Sequence, residues 1–400
     1  MYNQDKNSSK KVVVALTGRV DSAVAAFLLK KQGYDVMGLA MITGPSGDTA
    51  KEKPKCYIEN MDKVQDLCEQ MKIPFYVSDI KAEYEYEVID RLMENKLNAL
   101  SNSSCFQCTS VRMKILLRKM KALNADFIAT GHYCKVHQNF NSNEYHIHSN
   151  NNAEVDQSIL LAGLDQDILS HLILPLGELR KEEVLKIAKN FGLHKNPSII
   201  QEGFCFKTVD SVKELIKKNV APSLIKEGNF ISMDGEITYG EHDGIVNHFI
   251  GQKELSIENG MKLEKTLQIV DYRAKTGDII LGEDKDLLFG GAQLTQLNTS
   301  VRLDKRKPIQ CYVKFKFSNE HIKAHIFFKN NNSAYIEFNE PISPLLKREQ
   351  MVIFDSDKRN AKVIGTAMVN SRGEFKSVDR VAVYRKGETD DNEVHTDFKF

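Results

Sequence analysis

The sequence lacks any hydrophobic run long enough to cross a bilayer. A membrane-spanning helix needs about 20 apolar residues, and no stretch of the 400 residues approaches that length. Residues 1–10 are polar and contain no apolar signal-peptide core. We therefore expect a cytoplasmic chain that has no membrane partner.

Cysteine is scarce, and the count is odd. Seven cysteines in 400 residues do not form the dense, even-numbered framework of a disulfide-rich secreted protein. The expected environment is reducing, so two cysteines close in sequence call for a chemical explanation.

Net charge is also nearly absent, because 55 Lys and Arg oppose 54 Asp and Glu. This balance argues against a general polyanion binder, but the charge is unevenly distributed. Residues 107–135 hold six basic side chains against one acidic, and residues 302–350 hold ten against five. Residues 210–300 hold ten basic side chains against fifteen acidic. Local basic surfaces are compatible with docking on nucleic acid, although charge alone favours the simpler explanation of solvated helix and strand faces.

The first half of the chain alternates strand and helix patterns. Apolar runs at 12–16 and 35–41 predict buried strands, and apolar residues at helical spacing over 61–71 predict a core-facing helix. Further helices are predicted near 82–97 and 109–123. This alternation is typical of a doubly wound α/β domain with a largely parallel sheet.

The alternation continues to residue 193 with one interruption. A strand is predicted within 127–133, and a loop rich in Asn and Ser occupies 139–153. The run DQSILLAGL (156–164) predicts a return to strand. The run 182–193 predicts an amphipathic helix ended by Gly192.

After residue 208 the pattern changes to short β-rich runs. Those before 297 predict a small mixed or β module, and six alternating runs beginning with VRLD (301–304) favour a small antiparallel barrel or sandwich. We expect four segments: a catalytic domain at 1–208, a central domain at 209–296, a C-terminal β domain at 297–390 and a mobile tail at 391–400.

The strongest chemical motif is ALTGRVDSAVAA (15–26), between the first predicted strand and the first helix. A glycine turn before a helix N-terminus presents backbone N–H groups and a positive dipole end, which suits phosphate. It is not a Walker A loop, because no G-K-[ST] follows. The alternative is an ordinary tight turn with Asp21 or Ser22 as the helix cap.

The segment TGRVDS resembles the SGGVDS signature of the PP-loop ATP pyrophosphatases, enzymes that adenylate a carbonyl oxygen and release pyrophosphate. The resemblance implies that Thr17, Gly18, Asp21 and Ser22 hold the pyrophosphate. Arg19 replaces a second glycine, which would let the backbone approach phosphate closely. Arg19 could add a charge-assisted contact or obstruct the nucleotide.

A C-x-x-C pair, Cys105 and Cys108, stands just ahead of a predicted basic helix. Half of a zinc site and two buried thiols are alternatives, but no second C-x-x-C or close His pair supports zinc. A helix N-terminus beside Arg112 and Lys114 would lower the pKa of a thiol and favour a nucleophilic thiolate. Cys205 is a third candidate that could converge with this pair in the fold.

From about residue 10 to 384 the chain resembles the tRNA-specific 2-thiouridylases of the MnmA type. The landmarks follow in order: TGRVDS, the C-x-x-C, LNADFIATGHY, VDQSILLAGL, LPLGELRKEEVLKIAKNFGL, FCF, DGEITYGEHDGI and HFIGQ. The resemblance implies an N-terminal PP-loop α/β domain, a small central domain and a C-terminal antiparallel β-barrel. It also implies a sulfurtransferase that adenylates the C2 oxygen of the tRNA wobble uridine and substitutes sulfur from a cysteine persulfide.

The same resemblance implies the ligands and partners. The products are 2-thiouridine, AMP and pyrophosphate, and the cofactors are ATP and Mg²⁺. The partners are tRNA, namely the Lys, Glu and Gln isoacceptors, and a persulfide donor protein such as a cysteine desulfurase or a sulfur relay protein.

By resemblance Cys108 is the nucleophile and Cys205 carries the persulfide, while no residue is implied as a metal ligand. The implied ATP-binding residues are Ala15, Leu16, Thr17, Gly18, Arg19, Val20, Asp21, Ser22, Met41 and Gly131. The implied tRNA-binding residues are Ser103, Ser104, Cys105, His132, Val155, Asp156, Gln157, Lys316, Phe317 and Gln350. Ser-Ser at 103–104 for Asn-Pro, QEGFCF for DSxGICF, and Lys-Phe at 316–317 for Arg-Tyr depart from the family pattern. They concern base recognition more than the reaction class.

Four alternatives stay open at this point. Cys105, Cys108 and Cys205 could ligate a [4Fe–4S] cluster in an Fe–S-dependent thiolase. A divergent relative could modify another RNA uridine, and a binding protein could have lost adenylation through Arg19. The fourth alternative is a PP-loop ligase that acts on a small metabolite.

Overall fold

The computed structural model describes residues 10–43, 61–101, 104–152, 155–193, 209–255, 257, 266–315 and 320–373. With those gaps, internal contacts divide the chain into two units. The first unit comprises residues 10–89, 104–193 and 354–364, and the second comprises 90–101, 209–353 and 365–373. The predicted tail at 391–400 lies outside the described residues.

A parallel sheet forms the centre of the first unit. The strands of this part of the chain are Lys11–Leu16 (β1), Asp35–Ile42 (β2), Phe75–Asp79 (β3), Phe127–Ala129 (β4), Cys134–Asn139 (β5), Glu144–Ser149 (β6) and Leu172–Ile173 (β7). The sheet order is β3-β2-β1-β4-β7, with all neighbours parallel, and β5 and β6 form a separate hairpin. In the central strand β1, Val12, Val13 and Val14 are fully buried, as expected where both faces of a parallel sheet are covered.

Helices connect the strands. They are Val20–Lys31 (α1), Met61–Met71 (α2), Lys81–Tyr84 (α3), a π-helical turn at Glu85–Ile89, Asp90–Leu97 (α4), Ser104–Ala122 (α5), Ser158–Leu161 (α6), Gln166–His171 (α7) and Lys181–Asn190 (α8). Val24 and Leu29 of α1 and Val64 of α2 pack with β1 in one core. Gly192 has a φ of +61°, the left-handed conformation with which the predicted helix was expected to end.

Three local predictions in this half are corrected. α5 begins at Ser104, five residues before the predicted start at 109, because Ser104 and Phe106 are buried and tertiary packing extends the helix. The strand predicted over 156–164 is wrong, since this run contains the helix α6. The predicted loop at 139–153 includes most of the β5–β6 hairpin.

The second unit contains two sheets. Its remaining α-helix is Val209–Asn219 (α9), and short 3-10 helices occur at Pro222–Leu224, Ile245–Asn247 and Asp284–Leu287. The strands are Gly228–Ile231 (β8), Thr238–His242 (β9), Gln268–Arg273 (β10), Asp278–Gly282 (β11), Phe289–Thr299 (β12), Ile309–Phe315 (β13), Ile322–Phe328 (β14), Ala334–Ile342 (β15), Gln350–Phe354 (β16) and Val363–Gly373 (β17). The four-stranded sheet has the order β10-β11-β8-β9 and is mixed, because β11 and β8 are parallel.

The strands β12 to β17 close into an antiparallel barrel of order β12-β15-β14-β13-β16-β17. Alternate residues of β14, namely Ala324, Ile326 and Phe328, are buried, as the period of a strand with one core face requires. The predicted strand at 301–304 is not a strand, and β12 is the first strand of the barrel. The predicted fold class is confirmed, while the division at residues 208 and 296 stays a prediction. No described helix has the length and apolarity that crossing a membrane requires.

Candidate active site at the carboxyl edge of the parallel sheet

The carboxyl end of β1 lies where the strand order reverses. β1 sits between β2 and β4. After β1 the chain adds β2 and β3 on one side of this strand, and it later adds β4 and β7 on the other side. In open parallel sheets ligands bind at this edge, beyond the carboxyl ends of the strands. The segments that leave the sheet here are 17–19 after β1, Thr43 after β2 and 130–132 after β4. The predicted positions Ala15 and Leu16 are the last two residues of β1.

The loop between β1 and α1 is held by its own side chains. The Ser22 hydroxyl accepts a hydrogen bond from the Thr17 backbone N–H at 3.2 Å and donates to the Arg19 carbonyl at 3.0 Å. The N-cap residue of α1 is Arg19, whose side chain makes no capping hydrogen bond, and Asp21 and Ser22 lie inside the helix. The alternative of Asp21 or Ser22 as an ordinary helix cap is therefore wrong. The first amides of a helix have no intrahelical acceptor. They remain donors for an anionic ligand.

Glycine is required by conformation at one position of this loop. Gly18 has a φ of +74°, where a side chain is strained. Arg19 has φ −99° and ψ 161°, an extended conformation open to any residue. The arginine that replaces the family's second glycine therefore causes no backbone strain.

Gly131 packs directly on the first turn of α1, next to the loop. A Cβ atom at this residue would lie 2.8 Å from the Asp21 carbonyl carbon and 2.9 Å from the Ser22 nitrogen. Both contacts are with backbone, which cannot move aside as a flexible side chain can. The absence of a side chain at residue 131 therefore sets the position of the Asp21–Ser22 peptide.

Two residues that the sequence reasoning missed hold Asp21. The Lys181 ammonium donates to both carboxylate oxygens at 2.7 Å, and the Tyr133 hydroxyl donates to Oδ1 at 2.6 Å. The side chains of Lys181 and Asp21 are mostly buried. Lys181 is the first residue of α8, where the helix dipole disfavours a cation. That unfavourable position is the signal that could have identified it.

We predict that Lys181→Met destabilises the first unit by about 2 kcal/mol, because it leaves a mostly buried carboxylate without its cation. Urea unfolding measures the change. Lys189→Met, at an exposed position of the same helix, is the matched control. Equal unfolding midpoints for Lys181→Met and the wild type would contradict the prediction.

His132 is neutral at neutral pH. Burial, followed by the positive charge of Arg112, lowers the pKa of His132 to about 4, and Asp21 opposes this shift. Its Nδ1 lies 2.8 Å from the Thr130 hydroxyl. His132 can therefore make hydrogen bonds with a ligand, but it does not supply positive charge for phosphate.

We predict that acidification between pH 6.5 and pH 4 lowers the stability of the protein partly through His132. In this window the unfolded chain binds a proton that the folded chain excludes, so the free energy of unfolding falls by at most about 1.4 kcal/mol per pH unit. Above pH 6.5 His132 does not contribute to the pH dependence of the free energy of unfolding. Thermal unfolding of His132→Gln should depend less steeply on pH than that of the wild type, and an identical slope would contradict the prediction.

Both described cysteines of the predicted site lie on α5. The helix starts at Ser104, so Cys105 is in its first turn and Cys108 is one turn further along. The helix-dipole effect falls off within the first turn. It therefore stabilises a Cys108 thiolate less than a helix that begins at 109 would. A side chain provides positive charge instead, because Arg112 Nε donates to the Cys108 sulfur at 3.3 Å.

Arg112 also reaches the sheet edge. Its Nη2 donates to the Thr43 hydroxyl at 3.4 Å, and its charge acts on His132. One guanidinium therefore links the Cys108 thiol to the edge at which the β1–α1 loop lies.

The basic stretch at 107–135 is less available to RNA than its charge indicates. Arg118 pairs with Glu83 at 3.2 Å and Lys121 pairs with Asp167 at 2.9 Å. The buried Lys135 donates to the Asn151 side chain at 3.1 Å. Much of this charge serves internal contacts.

The remaining predicted residues are placed as follows. Val20 begins α1, and Met41 is buried in β2. Val155 directly precedes Asp156, which accepts hydrogen bonds from the Asn150 and Ser158 amides. Gln157 accepts a hydrogen bond from the Tyr133 amide. Gln350 begins β16 in the second unit. Ser103, Cys205, Lys316 and Phe317 lie outside the described residues.

The described residues do not fit a dedicated Mg²⁺ site. Among the described ranges no group of three or more His, Cys, Asp or Glu is placed to hold a metal ion. The carboxylate nearest the loop, Asp21, uses both oxygens on Lys181. The third cysteine of the cluster alternative, Cys205, lies outside the described ranges.

Comparison with known proteins adds to this geometry. The family described as the tRNA methyl transferase HUP domain matches residues 10–208. The tRNA-specific 2-thiouridylase MnmA of Clostridium acetobutylicum is 30% identical over 87% of this chain and 97% of its own. MnmA 2 of Fusobacterium nucleatum is 31% identical over 86% of this chain and 96% of its own.

A solved structure, the U34-tRNA thiolase NcsA from Methanococcus maripaludis with its [4Fe–4S] cluster, aligns with 22% identity and a TM-score of 0.32 over 55% of this chain and 69% of that one. The matches to these two relatives, each over more than four fifths of this chain, confirm the family predicted from the ordered motifs: the chain belongs to the tRNA-specific 2-thiouridylase MnmA family.

Proposed function

We propose that this chain is an ATP-dependent tRNA-uridine 2-sulfurtransferase that replaces the C2 oxygen of a wobble uridine with sulfur. One observation carries the proposal: Arg112 ties the Cys108 thiol to Thr43, at the same sheet edge as the N-terminus of α1. A phosphate site and a nucleophilic sulfur on one edge suit a reaction that first activates an oxygen and then replaces it.

Activation is a transfer of AMP. The uridine O2 attacks the α-phosphorus of ATP, a P–O2 bond forms, and the bond to the β-phosphate oxygen breaks to release pyrophosphate. The amides at the start of α1 stabilise the negative charge on the phosphates, since they are fixed before the reaction begins. Gly18 and Ser22 keep the loop in the conformation that presents them.

Sulfur transfer then uses two cysteines. The terminal sulfur of a persulfide on Cys205 attacks C2 and AMP leaves, which joins Cys205 to the base through a disulfide. The Cys108 thiolate attacks the Cys205 sulfur, the S–S bond to the base breaks, and 2-thiouridine leaves. The resulting Cys108–Cys205 disulfide is reduced by two electrons from an external thiol, and a persulfide donor protein reloads Cys205.

The substrate must expose its base. C2 of a nucleotide in a folded RNA loop is inaccessible until the base is splayed out of the stack. We assign the contacts with the phosphate backbone of the RNA to basic residues of the C-terminal barrel. Such contacts position the RNA without reading its sequence. The substrates are the Lys, Glu and Gln isoacceptors.

The test is an assay of the full chain with unmodified tRNA, ATP, a cysteine desulfurase, cysteine and a thiol reductant. Nucleosides are identified by mass spectrometry, and pyrophosphate is measured in parallel. We expect one pyrophosphate for each 2-thiouridine, and only with tRNA present. Absence of 2-thiouridine from every tRNA tested would overturn the proposal.

The second candidate is a cluster-dependent thiolase, favoured by the placement of Cys105 and Cys108 in the first two turns of one helix. Anaerobic purification followed by iron analysis and an absorption spectrum separates the two chemistries. Persulfide chemistry predicts thiolation by iron-free protein, whereas stoichiometric iron that is required for thiolation would favour the cluster.

A further inference from the structure

We propose that Arg112 is a positioning residue that keeps the Cys108 sulfur in the thiolate form and aims it, and that Thr43 fixes Arg112 in turn. The proposal deepens the proposed function and rests on it, because it assigns how the nucleophile of that reaction is prepared.

The first observation is the spacing of the two residues. Arg112 follows Cys108 by four residues on α5, so the two side chains lie on the same face of the helix. Arg112 Nε donates to the sulfur at 3.3 Å. A guanidinium remains charged at every working pH and favours an adjacent thiolate over the neutral thiol.

The second observation is that the guanidinium is itself anchored. Nη2 of the same fork donates to the hydroxyl of Thr43 at 3.4 Å. Thr43 is buried and follows the last residue of β2 directly, so the anchor lies at the end of a sheet strand. A planar fork that bonds two partners at once fixes direction as well as charge. Lysine at residue 112 would supply only a point charge.

The third observation concerns what else could prepare this thiol. Cys108 lies one turn inside α5, beyond the reach of most of the helix-dipole effect. His132, the imidazole on which Arg112 acts, is held neutral by burial and by that same charge. Arg112 is a cation in direct hydrogen-bond contact with the Cys108 sulfur.

The test measures alkylation of the full-length protein by iodoacetamide from pH 5 to pH 10. Mass spectrometry of the Cys108 peptide gives the rate at this residue alone. We expect the pH midpoint of the reaction to rise by about one unit in Arg112→Met, since a nearby cation shifts such an equilibrium by about that amount. Thr43→Val should produce a smaller rise. The pH midpoint of Arg112→Lys should lie between those of Arg112→Met and the wild type.

Lys114→Met, at an exposed position of the same helix, is the control and should leave the midpoint unchanged. Thermal unfolding identifies any variant that fails to fold, in which case Arg112→Lys and Thr43→Val carry the comparison. A midpoint in folded Arg112→Met or Arg112→Lys equal to that of the wild type would overturn the proposal.

A second readout separates this proposal from the proposed function. Alkylation needs neither tRNA nor ATP, so it reports on Arg112 even if the chain thiolates no RNA. If the chain does thiolate tRNA, Arg112→Met should lower kcat for 2-thiouridine at least tenfold and leave the KM for tRNA and the release of pyrophosphate near wild type. A change in KM alone would overturn the assignment.

Discussion

Cys108→Ser should abolish 2-thiouridine formation while tRNA still binds and pyrophosphate is still released. A hydroxyl is a much weaker nucleophile than a thiolate, and loss of a nucleophile lowers turnover by about a thousandfold or more. In the proposed function adenylation depends on the β1–α1 loop, and Cys108 lies on α5 rather than in this loop. Nucleoside mass spectrometry, a pyrophosphate assay and a tRNA gel shift measure the three steps separately.

Cys105→Ser is the matched control for this substitution, because it makes the same chemical change one turn earlier on α5. With persulfide chemistry we expect its thiolation rate to remain within tenfold of wild type. Cys205→Ser should behave like Cys108→Ser. Normal turnover by Cys108→Ser would remove this residue from the mechanism, and loss of turnover in all three variants would favour the cluster-dependent alternative.

Gly131→Ala should slow the release of pyrophosphate about a hundredfold, although it adds only one methyl group. The new Cβ would lie 2.8 Å from the Asp21 carbonyl carbon and 2.9 Å from the Ser22 nitrogen. Relief of these contacts moves the backbone to which we assign the phosphates in the proposed function. A displacement of about 1 Å near reacting atoms can lower a rate by about a hundredfold. ATP-dependent pyrophosphate release in the presence of tRNA is the measurement.

Gly192→Ala controls for general destabilisation in this case. Gly192 has a positive φ, but the nearest atom to an added Cβ is a side-chain nitrogen 3.9 Å away. Alanine there should lower the melting temperature by a few degrees and leave pyrophosphate release intact. If Gly131→Ala releases pyrophosphate at the wild-type rate, the loop is not positioned by this contact.

Local patterns predicted most of the first unit because its strands and helices differ clearly in period. The valine run of β1 and the apolar spacing of α2 needed no tertiary information. The run 156–164 misled because a short apolar stretch is compatible with either structure, and Asp156 decides the outcome by accepting hydrogen bonds from the Ser158 amide and hydroxyl. The start of α5 was missed because small polar residues have weak helix propensity and burial of Phe106 compensates for it.

The sequence alone determined the family, and it marked the loop after β1 as a candidate phosphate site and Cys108 as a candidate nucleophile. These follow from residue types in a fixed order, which is information carried along the chain. The tertiary structure decided which distant side chains hold the residues of the candidate site in place. Lys181 meets Asp21 across 160 residues, and Arg112 meets Thr43 across 69. Contacts of this kind depend on the packing of α5 and α8 beside the sheet, and no local pattern encodes which distant side chain will complete an ion pair or hydrogen bond.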